Sequence, residues 1–489
     1  MVDARSLPVP GIACLMLCCL LFSASTVSNA QEIVNIDRVL FEPYPLPSSD
    51  SPPVLASIPG TKGRIVLAAN TDEMIATSDP DKAERDVEQY LQVITETEAQ
   101  EGPFDTGLFE YYLDLGLAYQ DQGLHEEAIE AFEKAEYISR INNGLYSPDQ
   151  FPVVERMIES YIATGDLLTA NSKQQYLLYL NTQFYGEDSL EVVPALDYLA
   201  DWNMDTFLTA LTLGNSVGLN INFGGRGVGG INATPRALAM RNLFLAQSQY
   251  YQAIENLIDH RRLFDPKLLE LEQKLVEAIF LSALRRGILE DPVFYLNRRT
   301  ARTGSRIVRD ELRGNTMSYI NGRNAWMRMQ IYVENNPAAT PLDVARTMLG
   351  QADWNMMFNR RVTAREQYAE IHDYLQTSGL EEAEINALLH PPLPVQLPEI
   401  TFRPHTRQHL GVPEDAQIAW QGYIDLGFSI SRYGNVQGIR ILGKSDNVTS
   451  RLERRLRKVL HNSPFRPRLA DGEPLKQDEV QLRYYFAEI

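Results

Sequence analysis

The sequence predicts an α-solenoid followed by a small α+β domain, and three observations carry this prediction. Between residues 81 and 390, apolar side chains recur at helical spacing in paired segments, a pattern typical of stacked helical hairpins. A proline-rich stretch from His390 to Pro398 then ends the helical pattern, because proline cannot continue a helix. The last eighty residues show strand-like and helical patterns in the order strand, strand, helix, strand.

The clearest helical hairpin lies within residues 112–135. Small side chains stand where two antiparallel helices would approach closely, and larger apolar side chains fill the seam between them. The spacing resembles that of the tetratricopeptide repeat. The matching positions are Tyr112, Leu115, Gly116, Tyr119, Gly123, Ala128, Phe132 and Ala135. The resemblance implies a protein-binding solenoid of helical hairpins over residues 81–390.

A second hairpin is indicated by Tyr161, Gly165 and Ala170. The distance from Tyr119 to Tyr161 is 42 residues, which exceeds the ~34 residues of the standard repeat. We expect the extra residues in the connection between residues 142 and 152. Weaker units are predicted at residues 192–211, 237–257 and 343–375, with further amphipathic helices at residues 268–289 and 310–335.

The C-terminal domain is predicted over residues 411–489. The alternation of side chains from Tyr423 to Ile430 indicates one strand, and Val436 to Leu442 indicates a second. Tyr433-Gly434-Asn435 between them indicates a tight turn. Residues 447–461 form an amphipathic pattern typical of a helix, and residues 479–486 indicate a third strand. The sequence therefore predicts a short hairpin, a helix and a closing strand.

These residues resemble the C-terminal domain of TonB, the energy transducer of Gram-negative outer-membrane transport. The match also includes Leu452, Phe465-Arg466-Pro467, Gly472 and Tyr485-Phe486. The resemblance implies an exposed strand edge that pairs with a receptor peptide. We expect this edge in the closing strand, and we expect partner contacts from that strand and from the basic face of the helix. The predicted residues are Val480, Leu482, Tyr484, Phe486, Arg451, Arg454, Arg455 and Lys458.

The first thirty residues have the pattern of a signal peptide. Arg5 precedes an apolar core from Gly11 to Phe22, and Ser28-Asn29-Ala30 provides small residues for cleavage before Gln31. An uncleaved anchor and a lipoprotein are the alternatives. The three cysteines lie inside this segment, so we expect no cysteine chemistry in the mature chain. Residues 31–80 are rich in turn-forming residues and predict a flexible lead-in, with a short strand at residues 64–69.

Charge and motifs exclude several classes of function. The formal net charge is −19 for the whole chain, with −23 in residues 1–400 and +4 in residues 401–489. This distribution argues against nucleic-acid binding, which needs a concentrated basic surface. Gly225, Gly227 and Gly230 match a dinucleotide fingerprint, but no acidic residue follows at the required distance. His405 and His409 lack the glutamate of a metalloprotease motif. We expect no cofactor, no metal and no enzymatic activity.

Together these patterns predict an exported, periplasmic adaptor associated with a TonB-type transport system. Its partners would be proteins, bound by the concave face of the solenoid and by the C-terminal strand edge. The linker at residues 391–410 is much shorter than the spacer of the TonB family, and no histidine precedes His125. We therefore expect no direct coupling to the inner-membrane motor. The alternative is a periplasmic scaffold of envelope assembly, whose TonB-like fold serves for docking or for homodimerisation.

Overall fold

The computed structural model describes residues 39–46, 80–213, 235–284, 315–389, 393–395, 420–470 and 472–488. Helices occupy the middle of the chain, and strands lie near both ends of the described residues. The helices are α1 (Pro80–Glu101), α2 (Leu108–Asp121), α3 (His125–Asn143), α4 (Gln150–Ala163), α5 (Leu167–Tyr185), α6 (Val193–Leu213), α7 (Pro235–Asp259), α8 (Pro266–Ala283), α9 (Thr316–Glu334), α10 (Pro341–Met357), α11 (Arg361–Thr377), α12 (Glu382–Leu389) and α13 (Ser450–Asn462). The strands are β1 (Val39–Pro45), β2 (Gly422–Ile430), β3 (Val436–Lys444), β4 (Arg468–Ala470), β5 (Glu473–Leu475) and β6 (Gln477–Glu488).

Helices α1 to α12 form a solenoid in which each described helix packs against the next one in the chain. Their apolar faces form three successive clusters of buried side chains. One joins α1 to α4, a second joins α4 to α6, and the largest runs from α6 to α12. This arrangement follows from amphipathic helices that cannot bury their apolar faces alone. The prediction of a helical solenoid agrees with this architecture.

The C-terminal module is a four-stranded antiparallel sheet with the order β1-β6-β2-β3, covered by α13. Thr449 caps α13 by accepting a hydrogen bond from the backbone N–H of Leu452. Leu452, Leu456 and Leu460 lie on one face of this helix and pack on the sheet. Strand, strand, helix and strand follow in the predicted order. The small hairpin of β4 and β5 was not predicted.

Strand β1 corrects the prediction of a flexible lead-in over residues 31–80. Residues Val39–Pro45 pair antiparallel with β6 in an unbroken register that places Phe41 opposite Phe486. Phe41 is fully buried in the core of the C-terminal module. The predicted strand at residues 64–69 lies outside the described residues. Pro43 and Pro45 are tolerated in β1 because it is an edge strand.

Candidate protein-binding surfaces

The tetratricopeptide positions lie between α2 and α3 as the steric argument requires. Ala128, Phe132 and Ala135 are fully buried, and Leu115 nearly so. A Cβ atom on Gly116 would lie 2.3 Å from Cε1 of Phe132, which explains the need for glycine there. Gly123 makes the turn between the helices with a φ of +75°. The hairpin is therefore closed by direct contact between a helix backbone and an aromatic ring.

Tyr112 of α2 and Tyr161 of α4 are partly buried, and the hydroxyl of each donates a hydrogen bond to a glutamate of the preceding helix. Tyr112 donates to Glu98 of α1 at 2.8 Å. Burial and the neighbouring Glu98 raise the pKa of the Tyr112 hydroxyl to about 12. Tyr161 donates to Glu133, and burial with that carboxylate likewise raises its pKa to about 12. Both hydroxyls therefore stay protonated and link neighbouring helices.

The second hairpin, α4 and α5, repeats the first one at a distance of 42 residues. Gly165 turns with a φ of +81°, and Ala170 is fully buried. The second helix of each hairpin has 19 residues, against 14 in the first helix. Residues 144–149 connect α3 to α4 and lie within the predicted connection at residues 142–152. In α3, Arg140 stands where a helix-ending proline is usual, so the helix continues to Asn143.

Four exposed aromatic side chains form two equivalent pairs, which we together call the aromatic ridge: Phe104, Tyr137, Tyr146 and Tyr179. Their exposed fractions lie between 41% and 52%. The Phe104 and Tyr137 rings meet edge to face with centroids 5.9 Å apart, and the Tyr146 and Tyr179 rings do the same at 5.9 Å. The second pair lies 42 residues after the first, so each hairpin carries the same surface pair.

Such exposure of large aromatic side chains is typical of protein-binding surfaces, where tyrosine and phenylalanine are enriched. Ile141 and Leu145, also exposed, lie between the two pairs in sequence and extend the apolar character of the ridge. The ridge runs along the second helices and the connections between hairpins. Sequence reasoning missed it, although the 42-residue spacing that relates Tyr119 to Tyr161 also relates Phe104 to Tyr146.

The residues predicted for the C-terminal strand edge do not lie at an exposed edge. Strand β6 lies inside the sheet, between β1 and β2. Val480, Leu482, Tyr484 and Phe486 are all buried. They lie on the face of β6 that packs with α13 in the core of the module. The predicted partner contacts through these side chains are therefore corrected, since the chain's own β1 occupies the edge.

The basic residues predicted on the C-terminal helix lie on its outer side. Arg451, Arg454 and Lys458 are exposed on α13, and Arg455 is half-buried. Arg457, which was not among the predicted contacts, instead donates to the backbone carbonyl of Ile439 at 2.7 Å. A role of this face in partner binding stays a prediction.

The Phe465-Arg466-Pro467 segment joins the C-terminal module to the solenoid. Arg466 forms a bidentate pair with Asp353 of α10, with distances of 2.9 and 2.5 Å, and donates to the carbonyl of Leu388 at 3.0 Å. Tyr368 of α11 donates to the same carboxylate at 2.7 Å. The guanidinium of Arg466 and the carboxylate of Asp353 are both planar, so the two parallel hydrogen bonds between them strengthen the contact and fix its orientation. This arrangement fixes the module against α10, α11 and α12.

The turn after β2 and the proline-rich linker belong to the same contact. Arg361 of α11 donates to the carbonyl of Tyr433 at 2.9 Å. Gly434 adopts a φ of +73°, and a Cβ there would lie 2.0 Å from the carbonyl oxygen of Phe465. Val395 of the linker donates its N–H to the carbonyl of Pro464 at 2.8 Å. The described part of the linker, residues 393–395, is therefore bound to the module rather than acting as a free spacer.

A buried ionic cluster lies between α6, α7 and α8. Nζ of Lys274 is 2.7 Å from Asp197, 2.9 Å from Asp201 and 2.9 Å from Glu270, and Tyr250 donates to Asp201. Burial disfavours the charged ammonium, but the three carboxylates outweigh it and raise the pKa of Lys274. The ammonium thus stays charged and fully paired, which suits a structural cluster.

Several other predicted candidates give no site in the described part of the chain. Gly225, Gly227, Gly230, His405 and His409 lie outside the described residues. No group of metal-ligating side chains that could hold an ion is found among the residues that the structure describes. No described helix is long and apolar enough to cross a membrane.

Comparison with known proteins identifies one repeat. The tetratricopeptide repeat model matches residues 109–142. No curated protein matches the chain. Similar solved structures include kinesin light chain nearly identical TPR-like repeats from Podosopora anserina, at 11% identity over 55% of this chain and 95% of that one, with a TM-score of 0.31. BtubC from P. vanneervenii is 12% identical over 62% of this chain and 92% of its own, with a TM-score of 0.30. The chain therefore contains a tetratricopeptide repeat in α2 and α3.

Proposed function

We propose that this chain is an exported protein-binding adaptor whose solenoid binds its partners through the aromatic ridge. The observation that carries the proposal is the repetition of an exposed aromatic pair in two successive hairpins, Phe104 with Tyr137 and Tyr146 with Tyr179. Rigid aromatic side chains provide large contact area with little loss of conformational entropy on binding. The tetratricopeptide repeat at residues 109–142, which contains Tyr137, supports a role in protein–protein contact.

The charge around the ridge indicates the chemistry of the partner. Residues 80–185 contain 20 acidic and 6 basic residues. A basic protein surface would complement this field and would be steered towards it at low ionic strength. Binding through the ridge should therefore weaken as salt is added, since exposed charges are screened over ~8 Å at 0.15 M ionic strength.

Export and association with a TonB-type system are the further parts of the proposal. The signal-peptide pattern of residues 1–30 supports export to the periplasm, and the resemblance of residues 411–489 to the TonB C-terminal domain supports the association. The adaptor would lie beside the membrane. A mature protein whose mass corresponds to a chain beginning at Gln31, recovered from the periplasmic fraction, is the expected result for export.

A second candidate function is that of a periplasmic scaffold for envelope assembly. The specific observation in its favour is the bidentate pair between Arg466 and Asp353, which fixes the C-terminal module to the solenoid. In this function the TonB-like fold serves for internal docking and contacts no receptor. Homodimerisation is the other use of the fold under this candidate.

The test is a pull-down from a Gram-negative envelope extract with three full-length proteins. They are the wild type, the ridge variant Tyr137→Ser/Tyr179→Ser, and a matched control, Ile331→Ser/Val362→Ser, which changes exposed apolar residues of α9 and α11. We expect the ridge variant alone to lose partners. Receptors or transport subunits among the lost proteins would support the TonB-type system, and envelope-assembly proteins would support the scaffold. An unchanged set of partners would overturn the proposed role of the ridge.

A further inference from the structure

Four arginine side chains lie together where the C-terminal module meets the solenoid. One belongs to α9, one directly precedes α11, one belongs to α11, and one lies in the turn after β2. We call them the arginine cluster: Arg323, Arg360, Arg365 and Arg432. Two parts of the fold therefore bring positive charge to one junction.

The ring of Tyr319 in α9 holds the first pair of these arginines. Cζ of Arg360 lies 4.0 Å from the ring centroid, and Cζ of Arg323 lies 6.0 Å from it. The ring is buried, and its hydroxyl donates to Asn355 at 2.8 Å, which fixes its position. A guanidinium over an aromatic face is attracted by the ring, while its N–H donors stay available in its own plane.

The ring of Tyr433 holds the second pair. Cζ of Arg432 lies 4.9 Å from this ring centroid, and Cζ of Arg365 lies 5.6 Å from it. Arg361 donates to the carbonyl of Tyr433 at 2.9 Å. Because Arg361 follows Arg360 directly and precedes Arg365 by about one helical turn, it links the two pairs.

The arginine cluster has no carboxylate partner within the described ranges of the chain. Arg328, Arg466 and Arg483, in contrast, each form two hydrogen bonds to one carboxylate. The chain has 64 acidic residues against 45 lysines and arginines, so carboxylates are not scarce. Because like charges held close together repel one another, the cluster gains stability when an anion binds.

We propose that the arginine cluster is a binding site for an acidic segment of a partner protein. Carboxylates of this segment accept paired hydrogen bonds from the guanidinium groups, whose planar forks match them. The inference goes beyond the proposed function, because the site is separate from the aromatic ridge and does not depend on it. The surroundings of the ridge are acidic, so the chain has recognition surfaces for two partners of opposite charge.

The position of the cluster favours a protein segment over a lipid surface. Arg323 and Arg365 are half-buried, and the other two members are exposed. Side chains of an extended segment reach half-buried groups at a junction, whereas a flat bilayer attracts basic groups at its surface. The half-buried arginines therefore select a ligand whose carboxylates project from a narrow backbone.

The experiment measures binding of labelled peptides to full-length proteins by fluorescence anisotropy. In one peptide six glutamates alternate with serine, and in the other glutamine replaces every glutamate. The proteins are the wild type, Arg360→Gln/Arg365→Gln, Arg360→Lys/Arg365→Lys and a matched control, Arg454→Gln/Lys458→Gln, which removes equal charge from the exposed face of α13. Arg360 makes no side-chain cap of α11, so its replacement removes no capping hydrogen bond.

We expect the acidic peptide to bind the wild type and the control with affinities within 3-fold of each other. Arg360→Gln/Arg365→Gln should bind it at least 10-fold more weakly. The lysine variant should lose at least 3-fold, because lysine keeps the charge without the fork. Equal losses in the two glutamine variants would overturn the site, as would equal binding of both peptides. An unchanged lysine variant would overturn the paired hydrogen bonds.

A second measurement uses the wild type alone and covers the case in which the variants do not fold. The acidic peptide should slow hydrogen exchange at residues 360–365 and 431–435. Slowing confined to α13, or none, would overturn the proposal.

Two other occupants are outcomes of the same test. Sedimentation of the wild type with vesicles of phosphatidylglycerol and phosphatidylcholine, without any binding of the acidic peptide, would assign the cluster to a lipid surface and overturn the proposal. Self-association of the wild type that is lost in Arg360→Gln/Arg365→Gln would assign it to the acidic face of a second copy and overturn the foreign partner. The aromatic ridge is untouched in all these proteins, so failure here is distinct from failure of the ridge in the pull-down.

Discussion

At the scale of single residues, contacts between glycine and aromatic rings set how closely the helices of the solenoid approach. Gly116 faces Phe132, and the same contact occurs twice between α9 and α10. A Cβ on Gly322 would lie 2.0 Å from the Trp354 ring, and a Cβ on Gly350 would lie 2.2 Å from the Trp326 ring. Because interiors are close-packed, one added methyl group at these positions must displace a buried ring.

Gly116→Ala should destabilise the solenoid by about 1–2 kcal/mol. Alanine favours the helix by up to ~1 kcal/mol over glycine, but overpacking a core costs about 1–3 kcal/mol. The measurement is chemical unfolding followed by circular dichroism. Glu110→Ala, an exposed change in the same helix, is the control and should stay within about 0.5 kcal/mol. A variant as stable as the wild type would show that Phe132 moves aside without loss.

Lys274→Met should be strongly destabilising at neutral pH, by about 3–5 kcal/mol, because it leaves the buried Asp201 carboxylate without a cation and leaves Asp197 with Lys267 alone. Lys267→Met is the matched control, since Lys267 is more exposed and pairs with Asp197 and Glu270. Lys267→Met should reduce stability clearly less than Lys274→Met. Thermal unfolding of both variants beside the wild type measures the difference, and equal losses would show that burial of Lys274 does not matter.

The loss in Lys274→Met should shrink on acidification. Burial already raises the pKa of Asp201 in the wild type, and removal of the Lys274 ammonium, which opposes that shift, should raise it further. A carboxyl with a raised folded-state pKa binds its proton more tightly when folded, so its contribution to stability is largest at low pH and is lost as pH rises. We expect the free energy of unfolding of Lys274→Met to differ less from that of the wild type at pH 5.0 than at pH 7.5.

At the scale of elements, the contact of the C-terminal module with α10, α11 and α12 depends on the pair formed by Arg466 and Asp353. Arg466→Lys removes the planar group that makes two parallel hydrogen bonds, so it is not a conservative change here. We expect faster hydrogen exchange in α12 and in the turn at Gly434. Lys476→Ala, which breaks an exposed pair with Asp478, is the control and should change nothing measurable. Unchanged exchange in Arg466→Lys would show that apolar contacts alone hold the module.

The elements that could be predicted from the sequence are those with local patterns. The α2–α3 hairpin followed from side-chain sizes at fixed spacing, and the order β2, β3, α13, β6 followed from periodicity and turn residues. Strand β1 did not, because it is seven residues long, contains two prolines and pairs with a strand at the other end of the described residues. The edge at β6 was assigned wrongly for the same reason. Asp353, the partner of Arg466, and Asp197 and Asp201, two partners of Lys274, lie far away in sequence, and no local pattern reveals such pairs.

At the scale of the whole molecule, the hydrogen bonds of Arg466 and Arg361 join the module to the solenoid, and β1 completes the sheet of the module. A chain that begins at residue 47 lacks β1, and we expect it to self-associate, because the uncovered edge of β6 offers unpaired backbone groups. A chain that begins at residue 39 keeps β1 and is the matched control. Sedimentation velocity over a range of concentrations distinguishes them, and two monomers of equal stability would contradict the expected role of β1.

The pairing of β1 with β6 also has a consequence for how the chain is made. A ribosome adds about 5–20 residues per second, so the 445 residues that follow Phe41, up to and including Phe486, take roughly 20–90 s to synthesise. During this interval the aromatic segment Val39–Pro45 exists without its partner strand. Until β6 is made, this unpaired segment is exposed to pairing with other chains, which is a general route to aggregation during folding.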